Sequence, residues 1–274
     1  MTTGTELTRR AFLADLGRGS AAIAVLSIVG CGQALSSAAS GSSVGSSRPS
    51  GATASSGPSD PGSASADPSP VASPGASSGA GAAWTRVELG FVSAYILVRG
   101  GEAVVVDTGV AGSDDEIKAA LADIGLAWSD VGHVILTHKH GDHAGSLVPV
   151  LTAATAATGY AGAEDLPAIV APRPLTAVAD GAMVAGLRII ATPGHTKGHI
   201  SVLDETNGIL VAGDALGTVG GTLAGSNPQF TEDAAAAKAT VIKLGDLHFE
   251  TLLVGHGDPI EGGASAQVKA LGRG

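Results

Sequence analysis

The stretch Thr137-His138-Lys139-His140-Gly141-Asp142-His143 places three histidines and one aspartate within six residues. It follows an apolar run from His133 to Thr137 that is typical of a β-strand. A turn at the mouth of a sheet can aim imidazoles and a carboxylate at one point, and both groups are ligands of zinc and iron. The stretch therefore predicts a metal site, with a solvated polar loop as the alternative.

Three other apolar runs end in residues of the same type. Thr192-Pro193-Gly194-His195 puts a histidine on a tight turn, Ala212-Gly213-Asp214 ends with an acid, and Val254-Gly255-His256 ends with a histidine. Each residue taken alone is more often structural or solvated. Together they repeat one arrangement, a ligand-type residue just past a strand end, and so predict that all three join the cluster.

Four short motifs of this chain resemble, in the same order, those of the metallo-β-lactamase superfamily. They are His-x-His-x-Asp-His, Gly-His-Thr-x-Gly-His, Gly-Asp and Gly-His-Gly. The resemblance spans nearly all of residues 84–274. It implies an α+β fold, a four-layer αββα sandwich with metals at one edge of its two sheets. The implied ligand set is His138, His140 and His195 for a first metal, Asp142, His143 and His256 for a second, and Asp214 as the bridge between them.

The resemblance also assigns two residues around the ligands. Asp107, which follows the apolar run from Glu102, matches the family acid that orients a metal ligand. His199 is the second histidine of Gly-His-Thr-x-Gly-His. It is expected to orient a ligand or to face the substrate, with a purely structural role as the alternative.

The chemistry that the resemblance implies is hydrolysis of a small-molecule carbonyl substrate by a hydroxide that bridges two Zn²⁺ ions, with Fe or Mn as alternative metals. Two metal ions about 3.5–4 Å apart can share a water and lower its pKa toward about 7. Asp142 and Asp214 are the expected catalytic residues, because Asp142 would accept a hydrogen bond from the nucleophile and Asp214 would bridge the metals. The only cysteine, Cys31, lies outside the folded region.

Gly-His-Thr-x-Gly-His is more similar to the glyoxalase II and lactonase branch than to the zinc β-lactamases, many of which have a cysteine ligand. Glyoxalase II enzymes add a C-terminal helical domain, whereas this chain ends eighteen residues after His256. A compact lactone, ester or thioester hydrolase is therefore expected. The alternatives are a β-lactam hydrolase, a mononuclear iron persulfide dioxygenase of the same fold, and a metal-binding lipoprotein without turnover.

Amino-acid composition separates a linker from the region that is expected to fold. Residues 32–83 are almost entirely Ser, Gly, Ala and Pro, which predicts a disordered linker because they cannot bury enough apolar surface to offset chain entropy. Residues 84–274 are long enough for one core. They carry 21 acidic and 11 basic residues, which accounts for the net charge of −10 and excludes nucleic acid as an expected partner.

Residues 1–31 have the features of a signal peptide: arginines, a short apolar run and small residues at its end. Arg9-Arg10 with Phe12-Leu13 resembles a twin-arginine export signal, and Ile28-Val29-Gly30-Cys31 resembles a bacterial lipobox. We therefore expect export and lipidation at Cys31. The lipid anchor would hold the protein at the outer face of the bacterial cytoplasmic membrane or at another envelope membrane. An amphipathic or uncleaved N-terminal helix is the alternative.

Local patterns predict further elements. Ser113 opens a helix that Gly125 ends, and the segment after His143 is expected to be helical as far as Pro149, which would end or kink the helix. Ala168–Val170 is predicted as a short strand. The segments 152–182 and 217–230 are expected to line the mouth of the substrate site.

Overall fold

The computed structural model of the protein describes residues 83–274. The signal peptide predicted for 1–31, with its lipidation site at Cys31, and nearly all of the linker predicted for 32–83 lie outside the described residues. The first described strand begins at Ala83, one residue before the predicted boundary of the folded domain. Among the described residues, every helix is too short or too polar to cross a membrane.

Six strands form the first sheet, and they lie in chain order. The first three pair antiparallel, and the third to the sixth pair parallel. Their bounds are β1 (Ala83–Leu89), β2 (Val92–Arg99), β3 (Glu102–Val106), β4 (Val131–Ile135), β5 (Thr158–Gly162) and β6 (Thr176–Val178).

The second sheet also has six strands, in the order β14-β13-β10-β9-β8-β7. Its strands are β7 (Met183–Val184), β8 (Leu187–Ala191), β9 (Ile200–Asp204), β10 (Ile209–Val211), β13 (Thr251–Leu253) and β14 (Ile260–Glu261). All neighbours are antiparallel except β10 and β13, which are parallel. A separate hairpin consists of β11 (Leu216–Val219) and β12 (Thr222–Gly225).

Helices cover the outer faces of both sheets. They are α1 (Asp114–Asp123) and α3 (Leu147–Ala153) on the first sheet, and α4 (Ala234–Gly245) and α5 (Ala264–Arg273) on the second. The four-residue helix α2 (Gly141–Ala144) belongs to the ligand loop after β4. The predicted helix from Ser113 to Gly125 corresponds to α1, whose Ile117 and Leu121 are fully buried.

The core is built in layers because side chains alternate along each strand. In β2, Ile96 joins α1 and α3 in one buried cluster, whereas its neighbours Tyr95 and Leu97 face the second sheet. On the far side of the second sheet, a third cluster packs the strands against α4 and α5. The order helix, sheet, sheet, helix confirms the predicted αββα sandwich.

Strand direction explains where the polar loops meet. β3 and β4 are parallel, and so are β10 and β13. β8 has the same direction, because it is antiparallel to β9, which is antiparallel to β10. The carboxyl ends of parallel strands lie at the same edge of a sheet. The loops that carry the predicted ligands therefore leave their sheets at one edge of the sandwich.

Two local predictions were wrong. Pro149 does not end a helix, because it is the third residue of α3, where its missing N–H has no partner to lose. The segment 168–170 is not a strand: Leu166–Ala168 forms a 3₁₀-helix with a proline in its first turn. The strands of this region are β5 and β6 instead.

Candidate metal centre

The structure brings together all seven residues that the sequence predicts as ligands. Three histidine rings form the first set. The Nε2 atom of His138 lies 3.0 Å from Nδ1 of His140, and that Nδ1 lies 2.9 Å from Nε2 of His195. His138 and His195 are buried, whereas His140 is partly exposed. Three nitrogens thus converge on one point.

The second set consists of Asp142, His143 and His256. Nε2 of His256 lies 3.2 Å from Oδ2 of Asp142 and 3.5 Å from Nε2 of His143. The His143 side chain is fully buried, whereas that of His256 is 36% exposed. This second set is therefore the more accessible of the two.

Asp214 lies between the sets. Its Oδ2 is 3.3 Å from Nε2 of His195 in the first set and 3.2 Å from Nε2 of His256 in the second. Its Oδ1 is 3.1 Å from Nε2 of His143. A carboxylate in this place lies within reach of a cation held by either set, which is the position that a bridging ligand requires.

The donor set fits metal ions. Neutral imidazole nitrogens that face each other at about 3 Å cannot both donate, so a shared cation satisfies them better than hydrogen bonds among themselves. Within the described residues, Asp214 Oδ1 is buried and lies 3.1 Å from Nε2 of His143 without the geometry of a hydrogen bond, and His195 Nδ1 is buried without a hydrogen-bond partner. Because buried polar atoms are normally paired, a cation beside Asp214 would account for its oxygen.

Contacts behind the rings direct three Nε2 lone pairs at the centre. His138 Nδ1 lies 3.1 Å from Oγ1 of Thr137, and His256 Nδ1 donates to the carbonyl of Phe91 at 2.8 Å. His143 Nδ1 lies 2.8 Å from Oδ2 of Asp107. In the neutral ring, a proton held on Nδ1 leaves Nε2 available to a cation, which is how outer partners set the tautomer of a metal-binding histidine.

Asp107 supports this network from the end of β3. Besides His143, its carboxylate accepts from the Thr137 backbone N–H at 2.7 Å and from the Thr137 hydroxyl at 2.8 Å. Its backbone has φ of 64°, a left-handed conformation that side chains rarely adopt. The surrounding contacts hold Asp107 in this conformation, where its carboxylate reaches the base of the ligand loop.

His199 is buried beneath the centre and does not line the cavity. Its Nε2 accepts from the backbone N–H of Asp214 at 3.0 Å, and its Nδ1 contacts the Thr192 hydroxyl at 2.8 Å. Of the roles expected for His199, this geometry favours orienting Asp214 over facing the substrate.

Burial disfavours the protonated, charged form of three histidine rings. It lowers the pKa of His138 well below its ordinary value, the pKa of His195 to about 4, and the pKa of His199 to about 3. Metal-binding histidine must be neutral. His138 and His195 therefore need little deprotonation to accept a cation.

Nearby carboxylates raise the pKa values of the two histidines in the second set. The Asp142 and Asp214 side chains raise the pKa of His256 to about 10. Burial opposes the charged form of His143, but the nearby Asp107 and Asp214 raise its pKa to about 10. Burial also opposes ionisation of Asp214, yet His143 and His256 hold its pKa well below the usual range. This part of the centre is thus stabilised by opposite charges.

A cavity of about 930 Å³ opens above both sets. His140, Asp142, His195, Asp214 and His256 form its polar floor. Its wall is mostly apolar and consists of Phe91, Leu216, Val219, Ala224, Pro228 and Phe230. The predicted mouth segment 217–230 is part of this wall. The other predicted segment, 152–182, is not, because it forms the far edge of the first sheet around β5 and β6.

Sequence reasoning missed two residues at the site. Phe91 stacks on the His256 ring with centroids 5.9 Å apart, and an exposed phenylalanine in the Gly90-Phe91 turn was the available signal. Asp165 is fully buried against the loops of the first ligand set. Nothing in the local sequence marks it, since Glu164 beside it is also acidic and is exposed.

Comparison with known proteins agrees with this geometry. Residues 87–256 match the family model of the metallo-beta-lactamase superfamily. Metallo-beta-lactamase domain-containing protein 1 of Xenopus laevis is 34% identical over 60% of this chain and 70% of its own length. A hydroxyacylglutathione hydrolase of Methylococcus capsulatus is 37% identical over 44% of this chain and 45% of its own.

Fold comparison gives the same result. The structure of a metallo-beta-lactamase family protein from Thermus thermophilus superposes with a TM-score of 0.57 and 24% identity, covering 70% of this chain and 77% of that one. The match to the family model includes every residue of the two ligand sets and Asp214. The chain therefore belongs to the metallo-β-lactamase superfamily and is a metal-dependent hydrolase.

Proposed function

We propose that the domain hydrolyses a small neutral carbonyl compound, a lactone, ester or thioester, at a centre of two metal ions, with zinc as the metal. The observation that carries the proposal is the position of Asp214, whose carboxylate oxygens lie within 3.3 Å of ligand atoms from both sets. A site for a single ion needs no carboxylate between two complete sets of three donors.

The side chains have distinct tasks in this reaction. When bound, the two ions supply Lewis acidity, which polarises the carbonyl and lowers the pKa of water. Asp142 is half-buried on the cavity floor, and its hydrogen bond with His256 lowers its pKa. Asp142 therefore stays ionised and can accept a hydrogen bond from the attacking water. Asp214, also ionised, holds the two sets together.

The cavity wall supports the choice of substrate. Among the described residues that line the cavity, none is lysine, arginine or glutamate. Lys139 is paired with Glu232 at 2.6 Å and does not line the cavity. A substrate carboxylate at the cavity wall would lose water without gaining a lysine or arginine side chain, whereas an apolar substituent would gain contact with Leu216, Val219 and Phe230. This favours neutral substrates over carboxylate-bearing β-lactams.

Two observations support the remaining details. The described residues include no cysteine, and a set of imidazoles and carboxylates suits zinc, with Fe or Mn as alternatives. The relative named hydroxyacylglutathione hydrolase supports including thioesters in the substrate class.

The test is a metal and substrate analysis of residues 83–274. We expect two zinc ions per chain and turnover of alkyl-substituted lactones, esters or thioesters. Each methylene added to the alkyl group should raise kcat/KM about fourfold while it fits the wall, because burying a methylene contributes about 0.8 kcal/mol. A terminal carboxylate on the same chain should lower kcat/KM about tenfold or more, since a buried unpaired charge costs several kcal/mol.

The controls distinguish loss of the metal ions from loss of the folded structure. Protein treated with a chelator should lose turnover and regain it with Zn²⁺, and its melting temperature should rise with zinc concentration because the ion binds the folded state. One iron per chain without hydrolysis of any neutral carbonyl compound would contradict the proposal.

We further propose that the domain acts outside the cytoplasm, tethered to a membrane through a lipid on Cys31. The supporting observations are the Arg9-Arg10 pair and the lipobox-like Ile28–Cys31 segment. In a bacterial host with twin-arginine export, the full chain should fractionate with membranes, and Cys31→Ser should remove its lipid label. Replacing Arg9-Arg10 with two lysines should retain it in the cytoplasm. Equal membrane association of the full chain and Cys31→Ser would contradict the lipid anchor.

A further inference from the structure

Two residues of the segment Gly194-His195-Thr196-Lys197-Gly198-His199 are not explained by metal binding or by the contact of His199 with Asp214. Thr196 and Gly198 both contact one buried carboxylate, that of Asp165. The Thr196 hydroxyl donates to its Oδ2 at 2.6 Å, and the Gly198 backbone N–H donates to its Oδ1 at 2.9 Å. Asp165 is fully buried in the loop after β5.

The same carboxylate also holds the other loop of the first ligand set. The backbone N–H of Lys139, which lies between His138 and His140, donates to Asp165 Oδ2 at 3.1 Å. Asp165 is therefore hydrogen-bonded to Lys139, between two of the ligand histidines, and to Thr196, which follows the third histidine of the set. Both loops are fixed to one rigid group.

Close backbone packing holds the loop of Asp165 tightly against the loop of Thr196 and Gly198. A Cβ atom on Gly198 would lie 2.4 Å from the Asp165 nitrogen, and a Cβ atom on Gly162 would lie 1.9 Å from the Gly198 carbonyl oxygen. Such distances exclude any larger residue without movement of the backbone. The segment 162–165 is thus pressed against the Thr196–Gly198 turn.

The second ligand set has no such connection. Its histidines are oriented by Asp107 and by the Phe91 carbonyl, and Asp165 makes no hydrogen bond with Asp142, His143 or His256. Asp165 also does not line the cavity. Its influence on the reaction is therefore indirect, and its hydrogen bonds go to residues adjacent to the ligands of the first set.

We infer that Asp165 is a positioning residue, which sets the spacing between His138, His140 and His195 and thereby selectively sets the metal affinity of the first set. This inference rests on the two-metal centre proposed above. It also gives Thr196 and Gly198 a role: the hydroxyl binds the carboxylate, and the missing side chain lets the loops approach each other.

Asp165→Asn is the informative variant because it keeps the size of the side chain. An amide has one acceptor oxygen and directs an NH₂ group at a donor, so at least one of the three hydrogen bonds is lost. Replacing residues behind a metal ligand typically costs 10–100-fold in metal affinity. We expect a loss of about that size at the first set and less than about threefold at the second.

The experiment is a Co²⁺ titration of the metal-free domain, followed by visible absorption and calorimetry. His195→Ala and His256→Ala identify which binding step belongs to which set. Asp165→Asn should weaken the step that His195→Ala removes, and Thr196→Val, which loses only the hydroxyl, should weaken the same step by a smaller factor. Asp246→Asn is the matched control, because its exposed carboxylate pairs with Lys269 between α4 and α5.

The outcomes separate this inference from the proposed function. If the unaltered domain binds fewer than two Co²⁺ ions, the two-metal centre itself is wrong. If it binds two and Asp165→Asn weakens both steps equally, or neither, only the positioning role is overturned. Circular dichroism and melting curves of each metal-free variant identify a general loss of folding. Should Asp165→Asn not fold, Thr196→Val decides by the same criterion.

Discussion

Asp214→Ala is expected to lower kcat/KM on a neutral lactone or ester by about 10³-fold or more. The reason is that the carboxylate contacts His143, His195 and His256, so its loss separates the two ligand sets. Metal-ion catalysis contributes several kcal/mol to transition-state stabilisation, and about 4 kcal/mol corresponds to 10³-fold. Steady-state kinetics and elemental analysis of the same sample measure the loss of turnover and of the second ion.

Asp258→Asn is the matched control for this prediction. Asp258 follows the His256 loop, but its side chain is 82% exposed and pairs with Arg86 outside the cavity. We expect its kcat/KM to stay within about twofold of the unaltered protein. Full turnover by Asp214→Ala with two bound ions would show that the carboxylate does not bridge the centre.

Asp107→Ala is expected to destabilise the metal-free domain by about 3–5 kcal/mol, the cost of breaking a buried charge pair. It removes the acceptor for Thr137 and for His143, all of them buried. Alanine also tolerates the left-handed backbone at this position poorly. For a domain of this size the melting temperature should fall by about 10 °C, measurable by differential scanning calorimetry without metal.

Asp123→Ala provides the comparison, since Asp123 is an exposed aspartate near the end of α1. Its effect should stay within about 0.5 kcal/mol. Asp107→Asn keeps a side chain suited to the left-handed region, so it should recover part of the stability but not the charge interaction with His143. An Asp107→Ala melting curve equal to that of the unaltered domain would contradict the supporting role of this residue.

The ligand set could be predicted from sequence because each residue follows an apolar run, and strands of one direction end at one edge. His195, Asp214 and His256 are far apart in the chain, yet strand direction alone brings their loops together. Asp107 was assigned by the resemblance to the metallo-β-lactamase superfamily. The layers were expected from the same resemblance, and they agree with the few stable arrangements open to apolar strands and amphipathic helices.

The features that were not predicted depend on contacts between residues far apart in the chain, which no local sequence pattern encodes. Asp165 contacts Lys139, Thr196 and Gly198, residues from 26 to 33 positions away, while its own segment has no regular period. β5 and β6 were missed because they are short and rich in Ala, Gly and Thr. Phe91 became part of the cavity only because the β1–β2 turn lies beside the His256 loop.

Each ligand set draws donors from both sheets. The loop after β4 gives His138, His140, Asp142 and His143, whereas the second sheet gives His195, Asp214 and His256. The segments 83–178 and 183–261 are therefore complementary fragments, and neither contains all the donors of either ligand set. The centre exists only when the two are docked, so occupancy of the site reports on the association of the two halves of the sandwich.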